Sequence, residues 1–323
     1  MELCIIKLGA LGDVIRTLPL AVAIKKLYPG SKITWITKEN AVSIAKKCEE
    51  IDGVFTINYN GNKVFDALYN LDIEKEATDL AAKIKAKTKK GFYSGNGYPL
   101  AYNFPAEYYL NTIYDDELKK SNKKTYQEMV FEAAEIPYHK EKFNLELNED
   151  DMLYAENFMK KRGKNGKIVG IHIGSSPRWP SKGWHEEKIE ELIIGIKKKG
   201  FEVILFAGPD DIKKQQIIRN NLERKKVDIF YNDPKNTLLE FASLVDLCQC
   251  IICSDSLALH VSLALNKKTI GLFFCTSPDE IEGYGILTKV VSSKLEDFFP
   301  QRMDEFDENL VKSINAEDVL AKI

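Results

Sequence analysis

The chain has 323 residues, 44% hydrophobic and 29% charged, which is enough to bury a substantial core and a length that favours two domains over one. With 46 Lys plus Arg against 48 Asp plus Glu, the formal charge of −2 excludes a bulk pull toward nucleic acid or an acidic membrane, so any anionic ligand must be held locally. The opening MELCIIKLG lacks a basic stretch, and no later apolar run reaches the about 18 to 20 residues that span a bilayer, so a cytoplasmic location is expected.

In chain order, a strand ELCIIKL passes through a loop GALGD into a helix ending near Leu27, and SKITWIT follows as a second strand after the Pro29-Gly30 turn. Asp13 stands where the strand gives way to the helix. It can serve as an N-cap, a role Asp fills well, or as a carboxylate facing a ligand. Pro19 cannot donate a helical hydrogen bond, so the regular helix is expected to start nearer Pro19, leaving Asp13 on a looser turn as a free carboxylate. ENAVSIAKKC and GVFTINY form a weaker third unit. A basic helix, DLAAKIKAKTKKG, then leads into GFYSGNGYPLAYNFPAEYYL, whose Tyr, Asn, Gly and Pro content reads as a long surface loop with a binding role. The basic run at 83–90 is read as a solvated helix face in preference to a membrane contact.

Around 148–166, NEDDMLYAENFMKKRGKNGK reads as a charged helix ending at a glycine-containing breaker, and the domain boundary is set there, between 155 and 156. The second half alternates strand and helix: KIVGIHIG, HEEKIEELIIGIKKKG, FEVILFAG, DIKKQQIIRNNLE, KVDIFY, TLLEFASLV, CIIC, SLALHVSLAL and KKTIGLFF. That rhythm means a parallel sheet wound on both faces. NAEDVLAKI is expected to be a terminal helix that packs back on the first domain. Two such α/β domains in sequence leave a cleft at the carboxyl ends of their strands.

Several chemistries are unsupported. No phosphate-binding G-x-x-x-x-G-K-[ST], no G-x-G-x-x-G, no G-x-S-x-G and no H-E-x-x-H occurs. Cys248, Cys250, Cys253 and Cys275 could in principle ligate a metal, but the stretch LCQCIIC reads better as a buried strand in which cysteine is a small hydrophobe. Three strand-to-helix loops remain. GIHIGSSPRWPSKGWHEE carries Ser175 and two cations, Arg178 and Lys182, that are either solvated or aimed at an anion, and places His185 and Glu186 in the next helix's first turn. CIICSDSLALH carries Asp255 and Ser256, read as caps or as the edge of a diphosphate cradle, and His260, read as a buried polar residue or a ligand contact. Thr276 and Ser277 sit on the third loop.

These residues resemble glycosyltransferase family 9, the heptosyltransferases of lipopolysaccharide assembly, through three separated motifs covering nearly the whole chain. IIKLGALGDVIRTLPL resembles the family's N-terminal signature, which implies Asp13 as catalytic base. KGWHEEKIEELI resembles its K-x-W motif, mapping the phosphate-contacting lysine onto Lys182. SDSLALH resembles its D-[ST]-G-x-x-H motif, mapping onto Asp255, Ser256 and His260, with Leu257 in place of the usual glycine. The resemblance implies the GT-B architecture, two Rossmann-like doubly wound domains facing a central cleft, with the acceptor on residues 1–155 and a nucleotide-diphosphate sugar on 156–323. It further implies inverting transfer of heptose or a similar sugar without a metal or other cofactor, the donor being a nucleotide sugar such as ADP-heptose. Donor contacts are then expected from Ser175, Arg178, Lys182, Asp255, Ser256, Leu257, His260, Thr276 and Ser277. Acceptor contacts are expected from Gly12, Arg16, Tyr98 and Asn103, with the aromatics of 91–110 stacking on sugar rings or packing their loop. The partners expected are a nucleotide sugar and a glycan or lipid-linked saccharide, no nucleic acid, and at most a peripheral contact of a monomer with the inner membrane. Two rivals stand beside this: a binding protein without transfer activity, and a nucleotide-sugar enzyme that uses water as acceptor.

Overall fold

The computed structural model describes residues 1–160 and 166–323; the breaker expected in the 160s therefore falls largely outside the described residues. Two compact units emerge, Met1–Leu145 with Asp279–Glu282, and Glu146–Pro278 with Gly283–Ile323.

The first unit comprises β1 (Glu2–Ile6), α1 (Leu11–Thr17), α2 (Pro19–Leu27), β2 (Lys32–Thr37), α3 (Val42–Ala45), β3 (Gly53–Thr56), β4 (Phe65–Asn70), α4 (Lys75–Lys83), β5 (Ala86–Gly95), β6 (Tyr98–Ala101), α5 (Phe104–Tyr114), α6 (Asp116–Ser121) and α7 (Tyr126–Ala134). Its sheet runs β3-β2-β1-β4-β5-β6, parallel throughout except for β5 against β6. Helices cover both faces, so the inner strands are apolar on both sides: Leu3, Cys4, Ile5, Ile6, Ile33, Trp35 and Ile36 are fully buried. Each such aliphatic side chain contributes about 1.5 to 3 kcal/mol by leaving water.

Two expectations change in this unit. The first helix begins at Leu11, with Asp13 inside it, and Pro19 opens a separate helix where its missing N–H loses nothing. The stretch expected as a basic helix and long loop is instead the end of α4, strand β5, a hairpin to β6, and α5. The cause is tertiary: β5 pairs along β4, and Asp66 had interrupted the apolar run that would have marked β4. At Gly91, with φ of 85°, a Cβ would lie 2.0 Å from the Asn70 carbonyl oxygen, so only glycine lets the strands approach there. The Asp279–Glu282 strip completes the unit: Tyr126 N donates to the Glu280 carbonyl at 2.9 Å, and Lys123 pairs with Asp279 at 2.8 Å.

The second unit comprises α8 (Glu149–Lys160), β7 (Ile168–His172), α9 (Glu186–Lys198), β8 (Glu202–Phe206), α10 (Ile212–Arg224), β9 (Phe230–Tyr231), α11 (Leu238–Asp246), β10 (Cys250–Ser254), α12 (Leu257–Ala264), β11 (Lys268–Phe273), β12 (Leu287–Val291), α13 (Leu295–Phe298), α14 (Glu308–Val311) and α15 (Ala316–Leu320). Its sheet runs β12-β11-β10-β7-β8-β9, parallel throughout. Counted from each unit's first strand, both sheets have the order 3-2-1-4-5-6 of a doubly wound Rossmann-like fold. The terminal helix has a place within the second unit: Val319 shares a core with Ile189 and Ile196, and Leu320 fills the space beside Gly195 that a Cβ would enter at 2.6 Å. All six cysteines are free and buried. Burial pushes the Cys250 and Cys275 thiols up to about 11, as suits packing groups. Among the described residues no helix is long and apolar enough to cross a membrane, and no group of three or more His, Cys, Asp or Glu side chains could hold a metal ion.

Candidate functional site

In an open parallel sheet, ligands bind at the carboxyl ends of strands where the winding reverses. In the first unit that point lies between β1 and β4, and the chain places charge on both sides of it. Lys7 follows β1 and is only 4% exposed. Its amine donates to the Leu71 carbonyl at 3.0 Å and lies 3.4 Å from Asp72 Oδ2. Asp72 Oδ2 also accepts from the Leu8 and Gly9 amides at 2.9 and 2.7 Å. Burial works against the Lys7 charge, but the Tyr126 oxygen, Asp72, Tyr109 and Asp13 outweigh it and hold the ammonium well above the ordinary lysine range.

Asp13 is the third residue of α1, and Ala10 stands at the N-cap in its place. Its Oδ1 accepts from Arg16 Nε at 3.1 Å and pairs with Nη2 at 2.8 Å, with the Asp13 side chain one-third exposed. The Arg16 guanidinium lies 3.6 Å over the Tyr126 ring, whose hydroxyl shares a hydrogen bond with Thr17 at 2.8 Å. A Cβ on Gly9 would stand 3.3 Å from Asp13 Oδ2, 3.3 Å from Asp72 Oδ2 and 3.4 Å from Lys7 Nζ. Gly9 is therefore where three charged groups converge. Asp13 is neither the cap nor a loose carboxylate: a side-chain network orients it.

In the second unit the reversal lies between β7 and β10, and the loops after β11, β10 and β7 are neighbours because those strands are. Lys182 pairs with Asp255 at 2.9 Å, with side chains 13% and 16% exposed. Lys182 ends a short 3₁₀ turn pinned by Ser181, whose hydroxyl donates to the Glu305 carbonyl and accepts from the Asp307 amide. Trp184 is a buried anchor donating to the Ile314 carbonyl at 3.2 Å, and Lys214 donates to the Trp184 carbonyl at 2.6 Å. Ser256 occupies the N-cap of α12 without a side-chain capping bond, and its buried Oγ has no partner among the described residues. The charges of Lys182 and Asp255 both act on Cys275, which brings the Thr276–Ser277 loop to the same place. Thr276, Ser277 and His260 are buried, Leu257 begins α12, and Ser175 Oγ lies 3.3 Å from where a Gly183 Cβ would be.

Other expected contacts are not gathered here. Arg178 is exposed and its guanidinium lies over its neighbour Trp179 at 4.7 Å. Tyr98 sits on the β5–β6 hairpin at 72% exposure. Asn103 has a structural role: its amide donates to the Ala133 carbonyl and Glu135, and its oxygen accepts from Gly91 N. Gly12 lies within α1. His185, expected in a first turn, is the N-cap of α9, with Nδ1 accepting from the Glu187 amide.

Sequence reasoning missed Lys7, Asp72 and Tyr126, although a lysine closing the apolar run LCII was a visible signal. It also missed a half-buried group at the end of β7 and the start of α10, His172, Asp211 and Lys214. Burial lowers the His172 pKa to about 4, and its Nδ1 has no partner among the described residues. Burial likewise raises Asp211 and lowers Lys214.

Residues 61–308 match the family described as glycosyltransferase family 9 (heptosyltransferase). Lipopolysaccharide heptosyltransferase 1 of Campylobacter coli is 23% identical over 99% of this chain and 97% of its own. A solved glycosyl transferase family 9 structure from Veillonella parvula superposes with a TM-score of 0.78 at 18% identity, covering 99% of this chain and 95% of that one. An Escherichia coli heptosyltransferase solved with ADP-2-deoxy-2-fluoro heptose has a TM-score of 0.63 at 15% identity, covering 99% and 98%. These likenesses identify the fold as GT-B.

Proposed function

The chain belongs to glycosyltransferase family 9, and on that footing we propose that it is an inverting, metal-independent enzyme that moves heptose or a similar sugar from a nucleotide-diphosphate donor to a glycan or glycolipid such as lipopolysaccharide core. The observation that carries this is Asp13, a partly exposed carboxylate held by the Arg16 side chain at a strand-order reversal while Ala10 takes the cap position. The second unit takes the donor diphosphate. An ammonium has three donors, so the pair with Asp255 orients Lys182 without exhausting it. The α12 amides and the Ser256 Oγ, without a partner among the described residues, supply further donors to an anion. The solved relative carrying an ADP-sugar analogue supports an adenosine diphosphate donor.

In this scheme Asp13 takes the proton from an acceptor hydroxyl held by the first unit. The hydroxyl oxygen attacks the anomeric carbon opposite the diphosphate, and configuration inverts through an oxocarbenium-like transition state. Lys182 and the helix amides stabilise the charge that develops on the departing diphosphate. The test follows ADP release from ADP-heptose with and without lipopolysaccharide core acceptor, and reads the anomeric configuration of the product by NMR. Acceptor-dependent release with inversion supports the reading. Equal release without acceptor means a hydrolase, and binding without release means a binding protein; either overturns it.

A further inference from the structure

Resting on the acceptor assignment to the first unit, we propose that the groove between β6 and α5 is a subsite for an uncharged saccharide portion of the acceptor. The groove has a volume of about 520 Å³, within the range of about 300 to 1,000 Å³ typical of small-ligand clefts. Helical spacing puts Phe104, Glu107, Asn111 and Tyr114 along one face of α5, and all four line the groove. Tyr93 and Tyr102 face them from the hairpin side, their ring centres 4.7 Å apart and tilted by 30°. Phe104 is 82% exposed and Tyr114 65% exposed, so packing within the unit does not account for either ring.

Two aromatic walls with a carboxylate and an amide between them suit a pyranose, which presents C–H faces to rings and hydroxyls to hydrogen-bonding groups. The charge pattern narrows the class. Among the described residues, Glu107 is the only carboxylate or cation lining the groove, although lysines are plentiful nearby on β5 and α6. A phosphorylated or carboxylated sugar, or an anionic lipid surface, would meet a like charge there. The groove is also firmly held. Asn103 ties its floor to Gly91 and Ala133, and the rings of Phe92, Tyr109 and Tyr126 follow one another at 5.6 and 5.9 Å toward Arg16, the residue that holds Asp13.

The test is saturation-transfer NMR on the full chain with lactose, glucose 6-phosphate and vesicles of phosphatidylglycerol in phosphatidylcholine. Lactose is expected to receive saturation on its C–H protons, and Phe104→Ala, at an exposed position, should cut that transfer about 3- to 10-fold with an unchanged melting temperature. Glucose 6-phosphate should bind more weakly than lactose, and Glu107→Gln should narrow that gap. Lactose transfer that is absent, or equal in wild type and Phe104→Ala, overturns the proposal. Vesicle binding that depends on Phe104 while lactose does not bind also overturns it, in favour of a membrane contact. ADP binding, compared between wild type and Lys182→Gln on the same samples, reports on the donor assignment separately: Lys182-dependent ADP binding with no lactose transfer sinks only the subsite.

Discussion

The two units share one strand order and set charge at the same topological point, but they satisfy that charge differently. At the β1/β4 reversal every group has partners within the unit: Lys7 with Leu71 and Asp72, Asp72 with two amides, Asp13 with Arg16. At the β7/β10 reversal a lysine-carboxylate pair sits beside a helix start whose capping hydroxyl has no partner among the described residues. The first arrangement orients a carboxylate. The second leaves donors ready for an anion. Topology therefore supplies the location, and the few residues after each strand decide how the charge placed there is satisfied.

The sharpest way to break this contrast is Asp13→Ala. Turnover is expected to fall on the order of 10²- to 10⁴-fold with ADP affinity little changed, as steady-state kinetics and calorimetry would show. A variant that folds and turns over normally removes the first unit's catalytic role. Lys182→Gln should act on the other side, weakening ADP binding roughly 10- to 100-fold along with turnover, since in the proposed donor site the lysine would meet the diphosphate in both ground and transition states. Unchanged ADP affinity would erase the distinction drawn between the units.

Next comes pH. Unfolded, His172 takes up its proton near pH 6.5; folded, only near 4. The unfolded chain thus binds more protons between those values, so this contribution to stability is complete above pH 6.5 and is lost as pH falls toward 4. The loss should be about 2 to 3 kcal/mol, and denaturant titrations of His172→Asn should show a correspondingly flatter slope across that window. An identical slope in both proteins would mean that the imidazole is hydrated in the folded state. The smallest effect is expected from Ser256→Ala. Deleting an unsatisfied hydroxyl should leave stability within about 0.5 kcal/mol of wild type or raise it, while ADP affinity drops about 3- to 10-fold. A clear loss of stability would show that Oγ has a structural partner after all.

Much of this was legible from residues alone where helix and strand periods were strong. The second half's strands and helices read correctly from KIVGIHIG to KKTIGLFF because fully buried parallel strands are apolar runs punctuated by capping residues. The first half misled where tertiary pairing outweighed local pattern. AKTKKGFYSG looks like the end of a basic helix, yet it pairs along β4 as a strand, with Lys87 exposed and the half-buried Lys89 and Lys90 bonded to the Ala81 carbonyl and to Glu135. Lys182 and Asp255 were legible as loop residues at strand ends, and Asp13 as a carboxylate just past β1, although it lies in the first turn of α1 and not on a loop. Their partners were not, since Arg16 stacks on Tyr126 and Lys7 meets Asp72 only after chain segments far apart in sequence come together.

The four-residue strip Asp279–Glu282 carries a practical lesson for anyone who would dissect this molecule. It gives the opening amide of α7 its acceptor, yet it is encoded some 130 positions after the rest of its unit ends at Leu145. A cut at 145 would thus yield an N-terminal fragment missing the strip beneath Tyr126, and chimaeras that swap whole halves between relatives would mismatch at that seam. Any modular exchange must carry residues 279–282 along with the N-terminal half.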